Sequence, residues 1–259
     1  KALGDEVTVV VATSGATTHN ERLASELLKP KEEQDPDIIN EPLDEYANQK
    51  ADELRQAAAL FGIDDVRILN GAQPFKAEEN PDVVRQMMDI IAEVRPHILI
   101  TQSPYLQGSG PHGLTSGYRR DDHAETAYAI MEAEELLNTP QPGAALRPHR
   151  MAATFYPGIY FDPDDWDLIV DISDWYEQRV QAEVLFKSQG HTEPFARKRI
   201  EIAAGSAGWT AGTAYAEAFV RAKAEVVARL TVSPYTLRDA EEPSIERHKR
   251  MVGEGRLSV

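Results

Sequence analysis

The residues best equipped for chemistry stand together at positions 117–126, Gly-Tyr-Arg-Arg-Asp-Asp-His-Ala-Glu-Thr. Tyr118 brings a phenol, Arg119 and Arg120 bring guanidinium groups, Asp121 and Asp122 bring carboxylates, and His123 brings an imidazole. A neutral imidazole is a good ligand for zinc and similar ions, and a catalytic zinc centre uses three protein ligands plus water. His123 can be one of these and cannot be all of them. Asp122 and Arg120 can orient such a site or stabilise developing oxyanion charge, and Tyr118 can donate to a substrate oxygen. The same residues also have a plainer use, with Asp121 or Asp122 capping a helix and His123 in its first turn.

The surrounding elements suit a site. Residues 97–101 read as a buried strand, residues 102–122 as a long Gly/Pro-rich loop, and residues 124–137 as a helix. Loops that long inside compact domains are usually functional. Strand, polar loop and helix start together form the carboxyl edge of an open α/β sheet. Upstream, residues 7–13 are β-branched and almost continuously apolar, the pattern of a strand buried on both faces. A short helix and an irregular insertion follow from residue 21, and then a helix over residues 45–61 closed by Gly62. A strand at 66–69, a helix opened by Pro81 and ended at Arg95-Pro96, and the strand at 98–101 give the order β, α, β, α, β. That order predicts parallel βαβ units in a Rossmann-like, mostly parallel sheet flanked by helices. Further on, strands are expected at 151–156 and 168–172, a helix over 175–188 capped by Ser173-Asp174, and another over 195–203 before a run of small residues. Residues 1–230 read as a single α/β domain. Residues 231–259 read as a polar C-terminal tail, suited to packing on a partner subunit in a homo-oligomer.

Among the other histidines, His112 in the long loop and His191 after a helix can reach the pocket. His19 borders the first strand-end loop, while His97, His149 and His248 suit structural or surface roles. No Walker loop, nucleotide-binding glycine motif or Gly-x-Ser-x-Gly elbow is present. The 259 residues carry 27 basic and 43 acidic side chains, a net charge of −16. This argues against a general nucleic-acid binder and leaves room for a local basic pocket and a small-molecule substrate. With no cysteine there is neither a disulfide framework nor a thiolate nucleophile, which fits a cytoplasmic protein. No run is long and apolar enough for a membrane span.

Several stretches resemble the PIG-L/LmbE-like family of zinc-dependent N-deacetylases. The strand and loop over 7–15 are similar to a family strand ending in a Thr-x-Gly turn. Residues 50–62, Lys-Ala-Asp-Glu-Leu-Arg-Gln-Ala-Ala-Ala-Leu-Phe-Gly, are similar to its R-x-x-E…A-A-x-x-L-G helix, with Lys50 in place of Arg and Glu53 kept. Residues 95–101 are similar to its R-P-D-V-V-I-T strand, and residues 215–219 match a late Y-A-E-A-F element. Arg120-Asp121-Asp122-His123 then falls on the family's His-Pro-Asp-His motif. The resemblance makes His123 a metal ligand, for zinc or another divalent ion. It puts Asp122, Arg120 and Tyr118 in the catalytic machinery and assigns Arg119, His112 and Glu53 to substrate binding. Arg120 stands where the family has histidine and is a poor proton donor near neutral pH. The family's Ala-His-Pro-Asp-Asp-Glu motif, which supplies the remaining ligands and the general base, matches nothing here and is expected upstream of Lys1.

The function this implies is metal-dependent hydrolysis, with metal-activated water removing an acyl group from an N-acetylated sugar or similar amide. Two alternatives stand beside it. One is a metal-dependent hydratase or lyase acting on a small polycarboxylate, favoured by Arg119 and Arg120 as carboxylate partners. The other is a non-catalytic ligand-binding relative that lacks the metal.

Overall fold

A computed structural model describes residues 1, 3–71, 73–104, 121–139 and 146–253. In chain order the elements are β1 (Thr8–Val11), α1 (Glu21–Leu27), α2 (Pro36–Ile39), α3 (Leu43–Ala59), β2 (Asp65–Ile68), α4 (Pro81–Val94) and β3 (Ile98–Ile100). They continue with α5 (Asp122–Asn138), β4 (Ala153–Pro157), β5 (Leu168–Asp171), α6 (Tyr176–Val184), α7 (Glu193–Ala211), β6 (Ala216–Arg221), α8 (Pro234–Glu241) and α9 (Ser244–Met251). The expected α/β class is the one observed. The sheet is mixed rather than mostly parallel. β1 and β2 pair in parallel as a two-stranded sheet, and a four-stranded sheet runs β3-β4-β6-β5. In that second sheet only β3–β4 is parallel, while β6 lies antiparallel to both β4 and β5.

The antiparallel strand has a simple cause. β5 ends at Asp171, which pairs with Ala216 at the start of β6. Between them, α6 and α7 pack against one another as a helical hairpin around Val180, Ala196, Ile200 and Ala204. A hairpin returns the chain to the end it left, so the next strand must run back. Ser173, expected to cap α6, serves this junction instead. Its hydroxyl donates to Asp171 Oδ1 at 2.6 Å and accepts the Tyr215 N–H at 3.1 Å. The small-residue run after 203, left outside the helix expected over 195–203, is the second half of α7. Alanine favours helix strongly. Gly208 is there because the helix meets the returning chain, and a Cβ at that position would come within 2.6 Å of the Ala214 carbonyl oxygen. Gly212, at φ +71°, ends the helix.

The main apolar core lies between α4 and α5, with Val83, Val84, Met87 and Ile91 facing Ala129, Ala133 and Leu137. Ala12 and Leu69 from the ends of β1 and β2 join it, and Met151 packs on it just before β4. Each buried valine, leucine, isoleucine or methionine among them contributes roughly 1.5–3 kcal/mol by leaving water. Two strands expected to be fully buried are not. Every residue of β1 is only half-buried. β3 has a ladder on one side among the described residues, and its Ile98 and Ile100 are 58% and 60% exposed. The continuous apolar run was a sound strand signal but did not report how many neighbours each strand has. The region read as a polar tail folds into α8 and α9. The buried Arg250 donates to Asp239 at 2.7 Å, to Glu242 and to the Gly212 carbonyl, which anchors the segment on the end of α7.

β2 is also clamped to α4 by charge. Arg67 donates to Asp65 at 2.8 and 3.0 Å and to Glu93 of α4 at 2.8 and 2.9 Å. The hydroxyl of Thr8 on β1 donates to Asp65 at 2.8 Å. The Arg67 guanidinium, and after it the Thr8 hydroxyl, hold the Asp65 carboxyl below the usual carboxylate range against the opposing effect of burial. A depressed folded-state pKa gives stability above the unfolded value of about 3.9, and that stability is lost as pH falls through the folded value. The Asp65 side chain is 42% exposed, so solvent screening limits the contribution to about 1 kcal/mol or less. Asp65→Asn is expected to lower the unfolding free energy by that amount at neutral pH, with the deficit shrinking below about pH 4. Urea melts across the range check this, and a deficit independent of pH would assign the loss to packing instead of charge.

Candidate functional site

Three segments meet at the carboxyl ends of β1 and β2 and the start of α5. The first is the loop after β1, residues 12–20. Its Gly15 holds φ +68°, a backbone that residues with a Cβ rarely adopt. The second is the loop after β2, and Gln73 knits it to the first. Gln73 Oε1 accepts the Thr17 N–H at 2.8 Å, and its Nε2 donates to Thr13 Oγ1 at 2.9 Å and Thr18 Oγ1 at 3.3 Å. The third is the N-terminus of α5. Asp121 caps it, with Oδ1 accepting the Ala124 N–H at 2.9 Å.

Asp122 joins all three. Its Oδ1 accepts the Phe75 N–H at 2.9 Å and its Oδ2 lies 3.5 Å from the Thr18 hydroxyl. One turn on, the buried Glu125 accepts the Ala77 N–H at 3.1 Å. The two carboxylates therefore sit in the first turn of α5, where the helix dipole favours negative charge, and both receive backbone donors from the β2 loop. His123, between them in sequence, is exposed. Helical geometry separates its face from that of its neighbours.

Behind the β1 loop lies a second tie. Lys50 on α3 donates to the carbonyls of Gly15 at 3.0 Å and His19 at 3.1 Å. Burial pushes its ammonium pKa down, opposed by the charges of Glu53 and Glu21. Tyr46 is fully buried, with its hydroxyl 3.1 Å from the Ser188 carbonyl and 3.3 Å from that of His19. Burial raises its phenol pKa, so it remains a neutral donor. Glu53, expected to meet substrate, is instead turned into the protein. Its Oε1 accepts the Ser188 N–H at 2.9 Å and its Oε2 accepts the Ser188 hydroxyl at 2.6 Å. With both oxygens taken and the residue buried, the carboxylate holds the α6–α7 connection against α3.

Of the sequence-derived site residues, Asp122 and His123 are therefore placed together on α5, and Glu53 lies apart from them in the α3–Ser188 tie. Tyr118, Arg119, Arg120 and His112 lie outside the described residues. Gln73, Tyr46 and Ser188 were not singled out by the sequence reading. A lone polar residue in a loop, and a tyrosine on an apolar helix stripe, carry no local signal of the contacts they make at long range. Among the described residues no group of three or more His, Cys, Asp or Glu side chains is arranged to hold a metal ion. Asp122 has committed its oxygens to loop contacts. The donor set described thus offers His123 and does not fit a complete metal centre.

Residues 1–134 match the PIG-L family, described as GlcNAc-PI de-N-acetylase. The chain belongs to this family. The match includes all three segments of the site and the whole Asp121-Asp122-His123 turn. A 1D-myo-inositol 2-acetamido-2-deoxy-alpha-D-glucopyranoside deacetylase of Streptomyces griseus is 26% identical over 130 residues, 44% of this PIG-L chain and 37% of that relative. The chain therefore spans about 37% of the length of the curated relative it matches. Among solved structures, N,N'-diacetylchitobiose deacetylase from Pyrococcus horikoshii is similar at TM-score 0.60 and 19% identity, over 85% of this chain and 74% of that one. The conserved protein TT1542 from Thermus thermophilus is similar at TM-score 0.61 and 17% identity, over 90% and 88%. GalB, a 4-carboxy-2-hydroxymuconate hydratase from Pseudomonas putida, is similar at TM-score 0.59 and 15% identity, over 88% and 100%. At these identities the likeness is one of fold.

Removing either tie should cost stability, because it strands buried donors. Asp122→Ala leaves the Phe75 N–H without its acceptor, an expected loss of about 1–3 kcal/mol. Glu53→Ala strands both the N–H and the hydroxyl of Ser188 and should cost at least as much, with Glu53→Gln retaining part of it. Denaturant melts of the three variants test this. A wild-type midpoint for Glu53→Ala would show that the Ser188 tie contributes nothing to stability.

Proposed function

We propose that this PIG-L chain is a hydrolase that removes an acyl group, acetate in the simplest case, from an N-acylated amino sugar or similar amide. Family membership over residues 1–134, with Asp122-His123 inside the match, is the observation that carries the reading. The deacetylase named among its relatives supports the same class of substrate. In the reaction, water adds to the amide carbonyl carbon, the C–N bond breaks, and the departing nitrogen takes a proton.

We assign His123 as the ligand this chain offers to zinc or another divalent ion, which would lower the pKa of bound water when present. Among the described residues no group of three or more His, Cys, Asp or Glu side chains completes the set. Asp122 acts by position. By accepting from Phe75 and Thr18 it fixes the α5 turn against both loops, so His123 is presented from a rigid helix start. Arg120 and Tyr118 are assigned to the developing oxyanion, where a fixed positive charge and a phenolic donor stabilise the tetrahedral stage. Arg119 and His112 are assigned to substrate. Glu53 is given a positioning role through Ser188.

The test is acetate release from N-acetylglucosamine derivatives by the purified chain, with and without a chelator. Chelation should abolish release and added zinc should restore it. His123→Ala should lose bound metal by elemental analysis and lower the rate by roughly a hundredfold or more, as expected when a metal-activated nucleophile is lost. Release of acetate that ignores both chelator and His123→Ala would remove the metal from the proposal. Hydration of a small unsaturated polycarboxylate without any acetate release would move the chain to the hydratase reading.

A further inference from the structure

Beside the Ser188 tie the surface opens into a cleft of about 280 Å³, lined by Glu21, Gln189, Gly190, His191 and Phe195. We propose that this cleft is a subsite for a neutral sugar ring, the non-reacting part of a larger N-acylated substrate. The proposal rests on the hydrolase reading above and adds a ligand site to it.

Position comes first. Glu21 is the first residue of α1, three residues beyond Thr18, whose hydroxyl faces Asp122. Three residues of chain span at most about 10–11 Å. The other wall is the α6–α7 connection, and Tyr46 and Glu53 fasten it to α3 and the β1 loop through Ser188. The cleft and the α5 turn therefore flank the same loop and are held to it by buried hydrogen bonds. On this proposal a molecule with two linked rings reaches from one to the other.

Chemistry then selects the ligand. Phe195 is 48% exposed, and its ring lies 5.0 Å from that of His191, with Phe186 behind at 6.3 Å. This makes an aromatic wall for the C–H face of a sugar. The Glu21 carboxylate has no hydrogen-bond partner among the described residues and is free to accept from hydroxyls. His191 Nδ1 sits 3.2 Å from Glu183 Oε1, out of line for a hydrogen bond, and Nε2 has no described partner. The Gln189 amide both donates and accepts. Gly190, at φ +77° with open space beside its Cα, lets a ligand approach the backbone. An anion is disfavoured by Glu21. An ammonium group would meet Glu21 but gain nothing from Glu183, whose charge is already met by Arg179 and Arg199. It would also leave the donors of Gln189 unused. A ring bearing several hydroxyls uses donors, acceptors and the aromatic wall together. The volume lies just below the usual range for ligand pockets, which suits one ring.

The test uses N,N'-diacetylchitobiose and N-acetylglucosamine as probes of the wild-type chain and of Phe195→Ala and Glu21→Ala, two changes at exposed positions whose folding is checked by circular dichroism. Calorimetric titration reads binding whether or not hydrolysis occurs. The expected result is disaccharide binding by wild type and a tenfold or greater loss of affinity in both variants, with the monosaccharide unaffected. In acetate-release assays the same variants should raise KM for the disaccharide and leave kcat unchanged. Disaccharide binding that is absent in wild type, or equal in wild type and both variants, overturns the subsite. Preferential binding of free glucosamine over its acetylated form also overturns it, by marking an ammonium site. Binding that behaves as expected while no acetate is released upholds the cleft and refutes the hydrolase reading, so the two failures are distinct.

Discussion

Among the described residues the two sheets share no ladder, and everything at the site depends on how they are joined. Most of the joint is the apolar seam of α4 on α5, which takes in the ends of β1 and β2 on one side and Met151, just before β4, on the other. The carboxylate of Asp122 aligns that seam. It stands at the first residue of α5 and accepts from the loops after both β1 and β2. Hydrophobic burial supplies the larger energy but is non-directional. The hydrogen bonds to Asp122 and Glu125 set where along the seam the helix starts, and hence where His123 is presented.

The same division of labour recurs on the other side of the β1 loop. Burial of Tyr46 and of the α3 stripe brings α3 against the α6–α7 connection, and directional bonds from Ser188 to Glu53 and from Lys50 to Gly15 and His19 set the register. These groups are costly to bury unless satisfied. Each has found a partner distant in sequence, so this part of the molecule has little freedom to slide. A ligand site built on it, whether at the α5 turn or in the cleft by Phe195, inherits that rigidity.

Much of the architecture was legible from local signals. The helix openings at Pro81 and Asp121, the left-handed closure at Gly62, the helix end at Arg95-Pro96, and the strands at Thr8–Val11, Asp65–Ile68 and Ile98–Ile100 all follow from propensity, periodicity and capping. The extent of α7 was missed because glycines in a small-residue run suggest a loop. Only the approach of the Ala214 backbone explains why Gly208 belongs in a helix. Residues 216–221 were not read as a strand, and the antiparallel pairing of β6 was not expected, because strand direction depends on whether two successive helices form a hairpin, and pairing between helices is not written in either one. At the site, the Asp-Asp-His turn was legible as a helix start with ionisable groups. Gln73 and Ser188 were not, since their hydrogen-bonding capacity says nothing about which distant group it meets.

By itself the sequence determined the α/β class, the family resemblance and the placing of Asp122 and His123 in the first turn of one helix. Each of these rests on residues within a turn or a strand of one another. The tertiary structure decided what those residues do with their polar atoms. It committed Asp122 to two loops and turned Glu53 inward to Ser188 instead of outward to a ligand. It also left Glu21, His191 and Phe195 to line an open cleft. Hydrogen-bond partners separated by 47 residues for Asp122 and by 135 for Glu53 are set only when the core closes, because no local rule of chain conformation brings groups so far apart in sequence within hydrogen-bonding distance.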